Sequence, residues 1–280
     1  MIKKIFFTTI SLSVLLLAQD DSSEIEIQRL KAEIQQAKAQ KKDIEVKIKN
    51  LQAKLPVDEA LISKVQLGYV KTDGNTKTQT FSLDAKAKKA WGKNLVELTL
   101  DAQYGESDNL ETNNKYLTEL SYNYSMTQRL SITYLLGYKY DKFSTYDYQI
   151  YSGPGLKCLV LKTKKQKFYI EASIFYSIDK IQKKYLASYS NLNETYTSYR
   201  TKINYDLQIL QDLKFEQELS YRSSFESTKN YFIYSKSALS SKISSMLSTG
   251  LSYKINYTNQ VAAGVHQKDT TMEAFLSIDY

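Results

Sequence analysis

The chain has 280 residues, with 38 Lys plus Arg against 30 Asp plus Glu and a formal net charge of +8. A single Cys and a single His exclude an intrachain disulfide framework and any multi-histidine metal centre. Tyrosine supplies 24 residues while Pro supplies 2 and Gly 9, a balance that points to long extended segments rather than a compact enzyme. The basic residues are dispersed among acids without a phosphate-cradling, RNA-binding or zinc-knuckle motif, so no nucleic-acid partner is expected.

Residues 1–18 read as an export signal. Lys3 and Lys4 precede an apolar run from Ile5 to Ala18 that is too short for a helix crossing a bilayer core of about 30 Å. No Cys follows the run, so a lipoprotein anchor is not expected.

Residues 19–56 read as a coiled-coil stalk. One seam position carries Ile27, Ile34, Lys41, Ile48 and Leu55, and the other carries Leu30, Ala37, Ile44 and Leu51. Alternating spacings of three and four place these residues along one stripe of a helix, and Pro56 ends the pattern. The stripe predicts self-association of the chain, with Lys41 favouring a small, register-specific assembly.

From residue 57 to 280 the period changes to two. Leu98, Leu100, Ala102 and Tyr104 alternate with Glu97, Thr99, Asp101 and Gln103, and Leu130, Ile132, Tyr134, Leu136, Tyr138 and Tyr140 behave alike. Such alternation turns one face of a strand apolar and the other polar. Twelve strands are expected near 62–72, 77–89, 94–105, 113–125, 129–141, 148–162, 167–179, 195–209, 213–225, 230–241, 245–257 and 269–280. Their lengths suit tilted strands that cross a bilayer in about 9–11 residues. Pro154, within the sixth, needs a bulge or a place where its missing donor does no harm.

Tight connections near Trp91-Gly92, Met126-Thr127-Gln128, Lys164-Lys165-Gln166, Gln211-Asp212 and Lys242-Ile243-Ser244 alternate mostly with longer ones at 106–112, 142–147, 180–194, 226–229 and 258–268. The fold class expected is therefore all-β, an antiparallel transmembrane β-barrel of about twelve strands in the outer membrane of a Gram-negative envelope, with the stalk in the periplasm. Met272, Ala274, Leu276, Ile278 and Tyr280, alternating up to a terminal aromatic, resemble the assembly signal of bacterial outer-membrane barrels. The expected partners are outer-membrane lipids, the barrel-assembly machinery and further copies of the chain through the coiled coil.

Gly68-Tyr69, the segment Thr72-Asp73-Gly74-Asn75-Thr76 and Ala90-Trp91-Gly92 resemble the opening hairpin of the salt-induced outer-membrane protein family, domain of unknown function 481. Tyr151-Ser152-Gly153-Pro154-Gly155-Leu156 is similar to its central strand, and Lys268-Asp269-Thr270-Thr271 to its final hairpin. The resemblance covers about 62–280 and leaves the stalk outside. It implies an outer-membrane barrel and transfers no catalytic residue.

On this register the inward face carries Glu97, Asp101, Glu119, Lys139, Asp141, Glu171, Arg200, Lys202, Asp206, Glu216, Glu218, Arg222, Lys254, Glu273 and Asp279. Toward lipid such charges would cost up to about 2–4 kcal/mol each for Lys or Arg at the midplane, so the lumen is their place. They either line a narrow aqueous path or pair across the lumen and fill it; the mixed signs favour filling. Tyr122, Tyr124, Tyr134, Tyr138, Tyr140, Tyr176, Tyr205, Tyr221, Tyr253 and Tyr257 fall outward as interfacial girdles. The segment around Tyr185, Tyr189 and Tyr196 reads as a polar surface loop, and Cys158 as an ordinary strand residue.

The leading expectation is a structural or envelope-stress barrel with passive permeability to small solutes, and the alternative is a substrate-selective channel. A barrel enzyme of the lipase or protease type using His266 comes third, because no Ser lies near His266 in the sequence. No cofactor and no metal are expected.

Overall fold

Tyr, Leu and Ile at every second position, with Ser, Thr and charged residues between them, suit a pleated backbone with two unlike faces. The computed structural model describes residues 21–52, 61–72, 77–188 and 194–279. The proposed export signal at 1–18, Leu55 and Tyr280 lie outside the described residues. The chain divides after Pro56 into two units.

The first unit contains one helix, α1 (Asp21–Gln52). Its sequence has no Gly or Pro and is rich in Lys, Glu, Gln and Ala, all good helix formers. Asp43 and Lys47 pair at 2.9 Å one turn apart, and Lys41 stands 4.0 Å from Glu45. Ile27, Leu30, Ile34 and Ile44 are each about half exposed along the helix. Ile48 and Leu51 continue the helical backbone.

The second unit is a closed antiparallel barrel of twelve strands: β1 (Ile62–Thr72), β2 (Thr78–Trp91), β3 (Asn94–Ser107), β4 (Leu110–Ser125), β5 (Leu130–Asp141), β6 (Tyr146–Lys162), β7 (Gln166–Ile181), β8 (Thr195–Gln208), β9 (Leu213–Ser224), β10 (Tyr231–Lys242), β11 (Leu247–Thr258) and β12 (Lys268–Asp279). Each strand pairs with its sequence neighbours. β1 closes on β12 from Lys64↔Asp279 to Gly68↔Phe275, leaving no free sheet edge.

The barrel is inside-out relative to a water-soluble domain. Its buried set is dominated by Ser, Gln, Glu, Asp, Arg and Lys, while Leu98, Leu120, Ile132, Leu136, Ile174, Leu251, Leu276 and Ile278 are exposed. An outward apolar belt around a polar interior is the surface of a barrel that spans a membrane. Near the end carrying the long connections, Tyr116, Tyr138, Tyr140 and Tyr148 stack at centroid separations of 5.1–6.3 Å. Tyr199, Tyr221, Tyr231 and Tyr257 continue this aromatic rim on β8–β11.

Three placements differ from the sequence reading. Instead of a long connection at 106–112, the chain turns at Asp108-Asn109, whose φ values of 49° and 65° give the left-handed pair that a two-residue hairpin needs. Asp and Asn tolerate that conformation better than other side chains carrying a Cβ, which lets β3 and β4 run on. Tyr196 is not on a surface loop: it begins β8, points into the barrel and is 3% exposed. Leu135, Tyr151 and Phe175 form a small apolar cluster inside the lumen, where period two had assigned polar groups. Tyr151 fits because its cross-strand neighbour is Gly137, where a Cβ would meet the Tyr151 ring at 2.3 Å.

Pro154 sits where its missing donor does no harm. β6 keeps its ladder with β5 through Tyr134↔Pro154, while toward β7 the pairing passes from Ser152↔Tyr176 to Gly155↔Ser173. A Cβ at Gly153 would meet the Ile174 carbonyl oxygen at 2.1 Å, so only glycine allows this approach of β6 and β7. Gly153→Ala should destabilise the barrel by about 1–3 kcal/mol, the range for overpacking. The shift is readable as a lower temperature for conversion of the heat-modifiable gel band; an unchanged temperature would mean that the strands part there without cost.

Candidate functional site

The inward face of the barrel is built around charge pairs that cross it. Arg200 on β8 donates from Nη1 to Glu119 Oε1 on β4 at 2.5 Å and from Nη2 to Glu171 Oε1 on β7 at 2.8 Å. β4 and β8 lie four strands apart in a ring of twelve, so this contact spans the lumen. Glu119 also accepts the Tyr151 hydroxyl at 2.6 Å and faces Lys202 at 3.8 Å; Lys202 in turn pairs with Glu218 at 2.7 Å. The Arg200 guanidinium stands 5.1 Å from the Phe175 ring centroid, so the inner aromatic cluster packs against the bridge.

A second node centres on Lys254, only 1% exposed, with Asp84 at 2.9 Å, Asp101 at 3.0 Å and Glu273 at 3.3 Å. Lys236 reaches from β10 to Asp84 on β2 at 3.1 Å. Nearer the end where β1 begins, Lys64 pairs with Glu216 at 3.0 Å, Lys214 with Glu216 at 2.8 Å and with Asp206 at 3.5 Å. Glu97 is held there by Lys86 at 2.7 Å and Lys88 at 3.1 Å. Burying an ion is expensive, and several donors around each carboxylate are what make that burial tolerable.

The opposite end is closed by connections. Ala262, in the β11–β12 connection, donates its backbone N–H to Thr145 Oγ1, in the β5–β6 connection, at 2.7 Å. These connections lie on opposed sides of the ring, so they meet over the mouth. Gln182 Nε2 pins the β5–β6 connection through the Ser144 carbonyl at 2.8 Å and the Lys142 carbonyl at 3.1 Å. The Tyr146 and Phe232 rings, from β6 and β10, meet at 6.0 Å beneath. Beside them Asp179 accepts the Tyr196 hydroxyl at 2.5 Å and faces Arg222 at 3.6 Å. Glu194, outside the strands, accepts Lys180 Nζ at 2.8 Å, which holds its carboxyl below the usual range.

Every inward residue expected from the sequence lies on the lumen side of its strand, and Glu97, Asp101, Glu119, Glu171, Arg200, Lys202, Asp206, Glu216, Glu218, Arg222, Lys254 and Glu273 meet in the pairs above. Lys139, Asp141 and Asp279 stand apart from these pairs. Lys64, Asp84, Lys86, Lys88, Lys115, Asp179, Lys214 and Lys236 were not singled out, although Asp84-Ala85-Lys86-Ala87-Lys88 carries the same alternation and would have found three of them. Met272, Ala274, Leu276 and Ile278 lie on the outward face of β12, and exposed Cys158 on that of β6. His266 is exposed in the β11–β12 connection and has no hydrogen bond or ion pair with a described residue. Among the described residues no group of three His, Cys, Asp or Glu could hold a metal ion.

The sequence profile of the family described as "Protein of unknown function, DUF481" matches residues 65–280, which is the barrel from within β1 to its end. The chain belongs to the DUF481 family. No curated protein matches it. Among solved structures, the NanC porin is similar with a TM-score of 0.49 at 13% identity, covering 79% of this chain and 100% of that one. The KdgM porin is similar with a TM-score of 0.42 at 12% identity, covering 79% and 99%. The COG4313 outer membrane channel from Pseudomonas putida F1 is similar with a TM-score of 0.48 at 8% identity, covering 81% and 97%. What the lumen of this DUF481 barrel can do follows from its own side chains.

Arg200→Ala leaves Glu119 and Glu171 without their shared guanidinium, and loss of one partner from a buried ion pair costs about 3–5 kcal/mol. Urea unfolding of the refolded barrel should show that loss, and Arg200→Ala combined with Glu119→Gln and Glu171→Gln should recover part of it. Equal stability of Arg200→Ala and wild type would mean that water replaces the guanidinium freely.

Proposed function

We propose that the chain is an outer-membrane barrel of a Gram-negative envelope, structural in the first place, whose lumen passes only small polar solutes and only slowly. The outward apolar belt and the aromatic rims support residence in a bilayer. An even number of strands puts both barrel termini on one side, which we take as the periplasmic face together with α1. Outer-membrane lipids and the barrel-assembly machinery, reading the alternating β12, are the partners this reading needs. The observation that carries the restricted lumen is the Arg200–Glu119 bridge between β8 and β4, four strands apart in the ring, at 2.5 Å.

Planar-bilayer recording of the refolded chain should show rare, small conductance steps for wild type. Deleting 260–266 and replacing Arg200 and Glu119 by Ala should enlarge them several-fold. Large steady steps from wild type, unchanged by these alterations, would overturn the reading in favour of an open channel.

We further propose that α1 pairs with α1 of a second copy, parallel and in register. The half-exposed stripe of Ile27, Leu30, Ile34 and Ile44 supports this. So does the charge pattern beside it, because a parallel partner sets Glu26 against Lys31 and Glu33 against Lys38. Ile34→Asp with Ile48→Asp should abolish the cross-linked oligomer seen with an amine-reactive reagent. An unchanged ladder of products would leave the helix without an assembly role.

A further inference from the structure

We propose that the chamber between the two closures is a binding site for a small carboxylate anion; this rests on the reading that both closures hold in the membrane. The chamber has a volume of about 110 Å³, with the Arg200–Glu119 bridge below it and the meeting of Thr145 and Ala262 beyond its outer end. A dry cavity of about 150 Å³ takes benzene, so this space suits one molecule of a few heavy atoms.

Five cations line the chamber, Lys115, Lys139, Arg200, Lys202 and Arg222, beside the carboxylates Asp101, Glu119 and Glu218; Arg200 and Lys202 are held by Glu119, Glu171 and Glu218. Each differs in what already satisfies it. Arg222 faces Asp179 at 3.6 Å and is wedged between aromatic rings, 4.4 Å from the Phe232 centroid and 4.8 Å from that of Tyr151. Lys115 has Asp269 at 3.9 Å. The Lys139 ammonium has no ion pair and no hydrogen bond with any described residue. The charged groups that act on it are Asp141, two residues along its own strand, with Lys115, Arg222 and Asp269.

The second observation is the neighbour of Lys139 across the β5–β6 ladder, Gln149. Gln149 is 3% exposed, lines the same chamber, and its Nε2 has no hydrogen-bond partner. A buried donor left unmade costs about 1–3 kcal/mol, so an acceptor in the chamber is worth that much to the barrel. An ammonium and an amide N–H side by side match the two oxygens of one carboxylate. The wall already carries carboxylates, with Asp141 beside Lys139 and held by the Phe143 N–H at 3.0 Å, so a singly charged ligand meets less repulsion there than a doubly charged phosphate. The rings of Tyr151 and Phe232, which hold Arg222 between them, also line the chamber and give it apolar wall for a short carbon skeleton.

The test is calorimetric titration of sodium L-lactate into the refolded full chain in detergent micelles, with heat-modifiable migration confirming the fold of each variant. Wild type should bind one lactate, and bind it more tightly than sodium phosphate. Lys139→Gln should weaken binding about tenfold or more, the value of a charge-assisted hydrogen bond. Lys139→Arg should retain it, and Lys164→Gln, in the turn between β6 and β7, should bind as wild type does. No heat with wild type, or equal affinity in Lys139→Gln, would overturn the site; tighter phosphate binding would overturn the carboxylate assignment. A wide steady conductance from the same preparation would instead overturn the closed lumen, so the two failures are distinguishable.

Discussion

The structure depends on what a closed sheet in lipid must do with charge. Once β1 closes on β12 the outward residues meet hydrocarbon, so the charged residues of the strands are driven to the lumen except near strand ends, where Lys71, Glu106 and Lys180 face outward. The lumen gathers charges of both signs from all twelve strands, and they find one another. Arg200 with Glu119 and Glu171, and Lys254 with Asp84, Asp101 and Glu273, are the result. The same contacts that make the interior tolerable tie together strands up to four apart in the ring and narrow the path.

Filling and function are thereby linked. A lumen packed with Leu and Phe would be impermeable and indifferent to solute charge. Ion pairs instead leave polar edges, orphaned donors and small water-sized gaps. The aromatic cluster of Leu135, Tyr151 and Phe175 shows the limit of the polar solution, because it supplies bulk that charged side chains alone do not and backs the Arg200 guanidinium. Gly137 is the small residue that makes room for it.

Much of the architecture was legible because period two survives in any strand whose faces meet different solvents. Boundaries within a few residues followed for all twelve strands, and so did the inward face of Glu119, Arg200 and Lys254. The failures have separate causes. The turn at Asp108-Asn109 was hidden because Asp and Asn read equally well as loop residues. Tyr196 was read with its polar neighbours as a loop residue, and Tyr151 and Phe175 were given no face, because an aromatic ring with a hydroxyl or a facing glycine can go either way. Asp84, Lys86 and Lys88 followed the rule and were passed over.

By itself the sequence determined the secondary structure, the number of strands, which face of each strand is polar, and a helix with an apolar stripe, because these depend on spacings of two to seven residues. Only the tertiary structure decided who meets whom. That Arg200 finds Glu119 across the ring, that Lys254 gathers three carboxylates, that Thr145 meets Ala262 over the mouth and that Lys139 is left beside an unpaired Gln149 all depend on closure. Closure sets Lys64 beside Asp279, from the first and last strands of the barrel, and no local spacing encodes the stagger that aligns them.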